Sequence, residues 1–163
     1  DCFASQLFPE NAFGVGFLPF ASGTWGSLAA IPLVEASYSA AGIYGLIAFC
    51  LLTSVAGIPA CTRVAICVGR EDPSQAVVDE VAGQAIALLP VYAFCPFPRS
   101  SAAFWSWIAV AFVLFRLLDI FKPGPIRRAE RLPGGVGIML DDSVAGLLAG
   151  LAGAAALLLI YRR

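Results

Sequence analysis

Long apolar runs separated by short charged stretches organise this chain. Tyr38–Gly57 carries no charge, and as a helix its roughly 20 residues would cross the ~30 Å of a bilayer's hydrocarbon. A second segment opens on Asp72-Pro73-Ser74-Gln75, where aspartate can cap, proline suits a first turn and glutamine holds the capping-box position. It runs to about Phe94, before Pro96 and Pro98. The third is Ala102–Phe121, with Trp105 and Trp107 as interfacial anchors. The fourth leads from Asp141/Asp142 to Tyr161 and is closed by Arg162 and Arg163. Upstream, Gly14–Leu33 is apolar but broken by Pro19, Gly23, Gly26 and Pro32. That pattern predicts a short or broken helix starting near Ser22–Thr24, and leaves open whether residues 24–36 span or re-enter. The fold expected is all-α: a polytopic membrane helical bundle, four spanning helices plus the N-terminal short or re-entrant one, in a single domain over 1–163.

Composition sharpens this. The chain is 60% hydrophobic and 13% charged, against about 25% charged for soluble domains. Its net charge of −1 gives no reason to expect a nucleic-acid partner. Residues 1–16 lack the basic-then-apolar layout of a signal peptide. There is no histidine, which excludes every mechanism needing imidazole as nucleophile, base or ligand. The cysteines (Cys2, Cys50, Cys61, Cys67, Cys95) form no CxxC pair, so no zinc site or disulfide framework follows, and they read as small apolar fillers.

Charge is scarce but clustered. If the four segments alternate in direction, loops 58–72 and 122–140 share a face and carry six Lys/Arg, against three (Arg99, Arg162, Arg163) opposite. The positive-inside bias puts the richer face in the cytoplasm. Asp79/Glu80, Arg116/Asp119 and Asp141/Asp142 then converge on that face. Ionisable groups at the edge of hydrocarbon cost free energy unless paired, hydrated or metal-bound, so such a cluster is a functional candidate. Carboxylates beside a basic loop suggest chemistry on a phosphate.

Asp79-Glu80-Val81-Ala82-Gly83 and Asp142-Ser143-Val144-Ala145-Gly146 share the pattern D-x-V-A-G. The glycine lies one turn beyond the aspartate on the same face and lets another backbone approach. Two such aspartates could serve one cation, since magnesium takes one or two carboxylates, several waters and phosphate oxygens. Helix N-terminal dipoles offer a plainer account. It suits Asp141 well, and suits Asp79 and Glu80 less, because they fall deeper in the expected helix. Arg116, Asp119 and Lys122 are spaced by three on one face, and Pro123 stops the helix directly after Lys122. A neutralised Arg–Asp pair is the alternative there. Arg127, Arg128 and Arg131 suit anionic headgroups. Gly23-Thr24-Trp25-Gly26-Ser27 offers amides and hydroxyls at a helix start, where an anion is favoured. Gly134-Gly135-Val136-Gly137 reads as a flexible turn.

Together GTWGSLAAIP (23–32), DEVAG (79–83), FRLLDIFKPGPI (115–126) and GGVGIMLDDSVAG (134–146) resemble the phosphatidylglycerophosphatase A family of bacterial membrane lipid phosphatases. Ser22 stands where that family usually has proline, and Leu118 where an aromatic is common. The resemblance implies magnesium-dependent removal of the terminal phosphate of phosphatidylglycerophosphate at the bacterial inner membrane. In that chemistry Asp79 and Asp142, with Glu80 or Asp141, would hold Mg2+. Arg116 and Lys122, with Thr24 and Ser27 as added donors, would hold the phosphate. Glu80 or Asp119 would activate water. A metal carrier or channel is the rival from another class, but predicts carboxylates spread through the membrane depth. A lipid phosphotransferase would act on a similar headgroup, and the chain lacks the spaced aspartates it needs.

Overall fold

The computed structural model describes residues 22–68 and 77–161. The expected capping sequence Asp72–Gln75, Arg70, Arg162, Arg163 and Cys2 lie outside them. Every described element is a helix: α1 (Ser22–Val68), α2 (Val78–Phe94), α3 (Ala102–Phe121), the short α4 (Gly124–Glu130) and α5 (Gly135–Tyr161). Three of them, α1, α3 and α5, are long and apolar enough to cross a membrane.

α1 is a hairpin of two arms. At Ala41 (φ −144°, ψ 22°) and Gly42 (φ 61°, ψ −148°) the backbone leaves the helical region, and the chain turns back. The first arm starts beside the head of α2, with Gly26 against Val77 and Glu80. It reaches the far end of α2, where the Tyr92 hydroxyl donates to Glu35 Oε2 at 2.6 Å. The second arm returns, so that Gly57 meets Met139 and Thr62 Oγ1 accepts from Gly135 N–H at 3.0 Å. The N-terminal helix therefore runs the whole length of α2 instead of dipping in and out. The break falls inside the uncharged Tyr38–Gly57 run expected to be one segment, because glycine in an apolar stretch gives no sign of which φ it adopts.

α2 lies at the centre, packed on α1, α3 and α5, and ten of its 17 residues are buried. α3 instead buries only the stripe Phe104, Ile108, Ala111 and Phe115, spaced for one helical face. Trp105, Val110, Val113, Leu117, Ile120 and Phe121 give it an exposed apolar surface elsewhere, as a lipid-facing wall would have. Where α2 crosses α5 the two D-x-V-A-G glycines meet. A Cβ on Gly83 would stand 2.6 Å from the Asp142 carbonyl oxygen and 2.7 Å from the Phe115 ring, and one on Gly146 would strike the Gly83 carbonyl. Backbones this close leave no room for any side chain between them.

Two helix starts differ from expectation. α2 begins at Val78, so Asp79 and Glu80 occupy its first turn. α5 begins at Gly135, after a turn at Gly134 (φ 65°), which places Asp141 and Asp142 well inside it. The dipole account therefore fits the first pair and not the second, the reverse of the sequence-based assignment. Cys50 and Cys61 are buried fillers, whereas Cys67 is disulfide-bonded, which its spacing gave no reason to expect.

At the far end Arg99 ties the 95–101 connection to the first arm of α1 through an ion pair with Glu35, a hydrogen bond to Ser39 Oγ at 3.1 Å and a stack over the Tyr38 ring, 4.9 Å from its centroid. Tyr161 closes the same end against Phe97 and Trp107.

Candidate active site

The opposite end gathers the heads of α1 and α2, the tail of α3, all of α4 and the first turns of α5. Asp142 is the hub. The residue is 4% exposed, and its carboxyl lies close enough to Asp79 from α2, Asp119 from α3 and Asp141 beside it to feel their charges. Buried carboxylates this close repel one another unless a proton or cation stands between them.

Arg116 Nη1 reaches Asp119 Oδ2 at 2.8 Å. The same guanidinium lies over Gly23 together with the Glu80 carboxylate: a Cβ on Gly23 would come within 2.9 Å of Arg116 Nη2 and would collide with Glu80 Oε1. Gly26, one turn along α1, is filled by Glu80 Oε2 and Val77. The two glycines of the G-T-W-G-S stretch thus form a slot for Glu80 and Arg116. That job requires the absence of a side chain, and the sequence had suggested an anion-binding turn. Ser27 is fully buried, and its hydroxyl donates to Gly23 O at 2.9 Å. Thr24 is half-buried on the same turn.

Lys122 caps α3 in the left-handed region (φ 42°, ψ 63°), an uncommon conformation for a side-chain-bearing residue. Pro123 prevents a further helical turn, and the reversal carries the ammonium away from the Arg116–Asp119 face. Lys122 Nζ lies 2.7 Å from Asp141 Oδ2 and 2.7 Å from Glu130 Oε1. Burial alone would lower its pKa, but the hydrogen bonds to Asp141 and then Glu130 outweigh that and hold it above lysine's ordinary range. Asp141 Oδ1 meanwhile accepts from the Asp142 N–H at 2.9 Å, so Asp141 is fixed from both sides.

Asp79, Asp119, Asp141 and Asp142 thus share one neighbourhood, bordered by Arg116 with Glu80 on one flank and by Lys122 on the other. Among the described residues no three His, Cys, Asp or Glu side chains are arranged as a ready-made cation cage. Magnesium needs only one or two protein carboxylates, and the mutual charge of Asp79, Asp119 and Asp142 is the donor chemistry that suits it. Sequence reasoning missed Glu130, whose opening Pro-Gly-Pro and single turn I-R-R-A-E could have marked α4 as a helix. It also missed Gln84, fully buried one turn below Glu80 with neither amide atom hydrogen-bonded among the described residues.

Comparison with known proteins supports the same grouping. The chain is 43% identical over 141 residues to a Bacteroides thetaiotaomicron protein provisionally named phosphatidylinositol-3-phosphatase, covering 84% of each. It is 38% identical over 138 residues to phosphatidylglycerophosphatase A of Escherichia coli (83% of this chain, 74% of the relative). The Haemophilus influenzae protein of the same name is also 38% identical over 138 residues (84% and 79%). No solved structure matches. The profile of phosphatidylglycerophosphatase A spans residues 8–157, so the four motifs and the carboxylate cluster they form lie within it, and the chain belongs to the phosphatidylglycerophosphatase A family.

Proposed function

We propose that this protein is a membrane phosphatase that hydrolyses the terminal phosphate monoester of phosphatidylglycerophosphate, giving phosphatidylglycerol and phosphate. We place it in the bacterial inner membrane, with the site facing the cytoplasm and the two arms of α1 crossing separately, so that the chain passes five times instead of four. The observation that carries the reading is the meeting of Asp79, Asp119 and Asp142 from three helices beside Arg116 and Lys122. Acids so placed serve a phosphoryl group only if cations balance them. A carrier or channel would instead string its acids through the bundle.

Asp79 and Asp142 would hold Mg2+, while Asp141 is committed to Lys122 and the Asp142 N–H. When bound, the ion offsets charge on phosphoryl oxygens and acidifies a water. The remaining work falls to the chain. Arg116 and Lys122 hold the phosphate oxygens, with the half-buried Thr24 as an added donor, while Ser27, fully buried and donating to Gly23 O, braces that turn. Glu80, seated on Gly23 and Gly26, fixes the guanidinium of Arg116. Asp119, between Arg116 and Asp142, is the best-placed base. It takes the proton of the attacking water as oxygen bonds phosphorus and the P–O bond to the glycerol breaks; the departing alkoxide takes a proton from solvent, to which Asp119 afterwards returns its own. Positioned charge of this kind is the main resource of phosphoryl-transfer catalysts.

The test is phosphate release from phosphatidylglycerophosphate by purified protein in magnesium, compared with Asp79→Asn, Asp142→Asn and chelator-treated protein. Each should fall by a factor of about 10²–10³ or more. Full activity in both variants would overturn the assignment. Phosphatidylinositol 3-phosphate belongs in the same assay, because it carries the same phosphate monoester and the Bacteroides relative bears that name. A higher kcat/KM on it would move the headgroup assignment while leaving the chemistry.

A further inference from the structure

Lys122 has two carboxylate partners of unlike character. Asp141 is built in: its side chain is 9% exposed, and its second oxygen is committed to the Asp142 N–H. Glu130 is 41% exposed and sits at the last residue of α4, a seven-residue helix whose only buried residue is Ile126. The Pro123–Gly124 link that carries α4 has open space around Gly124. Of the ammonium's three donors, Asp141 and Glu130 hold two; an anion arriving from solvent meets the third, but on a charge that the exposed Glu130 already offsets, so Glu130 is the partner it competes with.

We propose that Glu130 is an internal competitor for the substrate's terminal phosphate, occupying the Lys122 ammonium in the empty site and giving way when a phosphate monoester binds. This rests on Lys122 being a phosphate-holding residue. The exchange is reasonable on charge grounds. An exposed carboxylate–lysine pair is weak, whereas a phosphate dianion offers more charge and more acceptor oxygens to the same donor. The contact keeps Lys122 compensated at the edge of hydrocarbon while no substrate is present. It also lowers the affinity for the phosphate product, which favours release.

The test is steady-state kinetics in mixed micelles at low ionic strength, with inorganic phosphate as competitive inhibitor, for wild type, Glu130→Gln, Lys122→Gln and the double variant. Glu130→Gln should lower both KM and the phosphate Ki about two- to five-fold, as an exposed pair of this kind permits. On the Lys122→Gln background the same change should do nothing, because the double-mutant cycle removes the shared donor. If Lys122→Gln raises KM but Glu130→Gln leaves KM and Ki where they were, or raises them, the competitor role is wrong and the Lys122 assignment survives. An equal fall on both backgrounds reduces Glu130 to a general surface charge and also overturns the inference. If Lys122→Gln leaves KM unaltered, the underlying reading fails and the inference with it.

Discussion

Asp141 and Asp142 are adjacent and both buried, yet a helix turns neighbouring side chains about 100° apart, and here the two face different partners. Asp142 looks across the α2–α5 crossing toward Asp79 and Asp119. Asp141 looks outward to Lys122. Their losses should therefore differ in kind. Asp142→Asn removes a charge at the reacting centre and should lower kcat by about 10²-fold or more. Asp141→Asn loosens Lys122, which keeps Glu130, and should act mainly by raising KM, by about tenfold or less. Separate kcat and KM values for the two variants check this, and an equal collapse of kcat in both would place Asp141 at the centre as well. The sequence showed the pair and its interest. It could not divide the roles, because that depends on where α5 begins: counted from Gly135 and not from Asp141, both acids shift from the helix dipole into the bundle.

Among the elements, α1 depends most on a single residue. Gly42 combines φ 61° with ψ −148°, close to a region essentially reserved for glycine, and a Cβ there would meet nothing within 4 Å. A substitution would thus act through the backbone alone. Gly42→Ala should destabilise by about 1–3 kcal/mol. Gly42→Asn should recover little of this, since asparagine's tolerance is for the left-handed helical region near ψ +47°. Lys122, at φ 42° and ψ 63°, does lie in that region, which is why a side-chain-bearing residue can serve there. Thermal unfolding in detergent measures both Gly42 variants, and a melting temperature equal to wild type would show that the hairpin does not need this conformation. The same element marks a limit of legibility. Charged and proline-containing gaps announced the ends of α2, α3 and α5 at the far side, but a reversal inside an uninterrupted apolar run leaves no compositional trace.

At the scale of the whole molecule the two ends differ in what they hold. The far end is tied by Glu35, Arg99, Tyr92 and Tyr38 into a closed set of contacts, with Trp107 and Tyr161 beside it. Apart from Arg116, the described arginines of the site end point outward: Arg63, Arg127, Arg128 and Arg131 are all exposed, and no described acid pairs with them in a salt bridge. Of the two stretches that the charge count assigned to one face, 58–72 is helical as far as Val68 and 122–140 contains α4, and the Thr62–Gly135 hydrogen bond joins them at the same end. The convergence of motifs was legible because each carried its charge at a helix end. The pairing across the α3–α4 turn was not, because nothing in the spacing of Lys122 and Glu130 reveals a left-handed cap between them.

That asymmetry predicts an orientation that can be measured. Exposed arginines next to anionic headgroups favour the cytoplasmic leaflet by about 1 kcal/mol each, and the exposed Phe121 and Leu132 flank them with apolar surface for the same interface. Trypsin added to sealed inside-out vesicles should cut after Arg127, Arg128 or Arg131 and release a C-terminal fragment containing α5. In intact spheroplasts those bonds should be protected, leaving Arg99 as the exposed described basic residue on the outer side. Substitution of Arg127, Arg128 and Arg131 by glutamine should abolish the vesicle cut without exposing a site in spheroplasts. Cleavage at 127–131 in spheroplasts would invert the protein and put the carboxylate cluster on the outer face, against the orientation proposed from the arginine distribution.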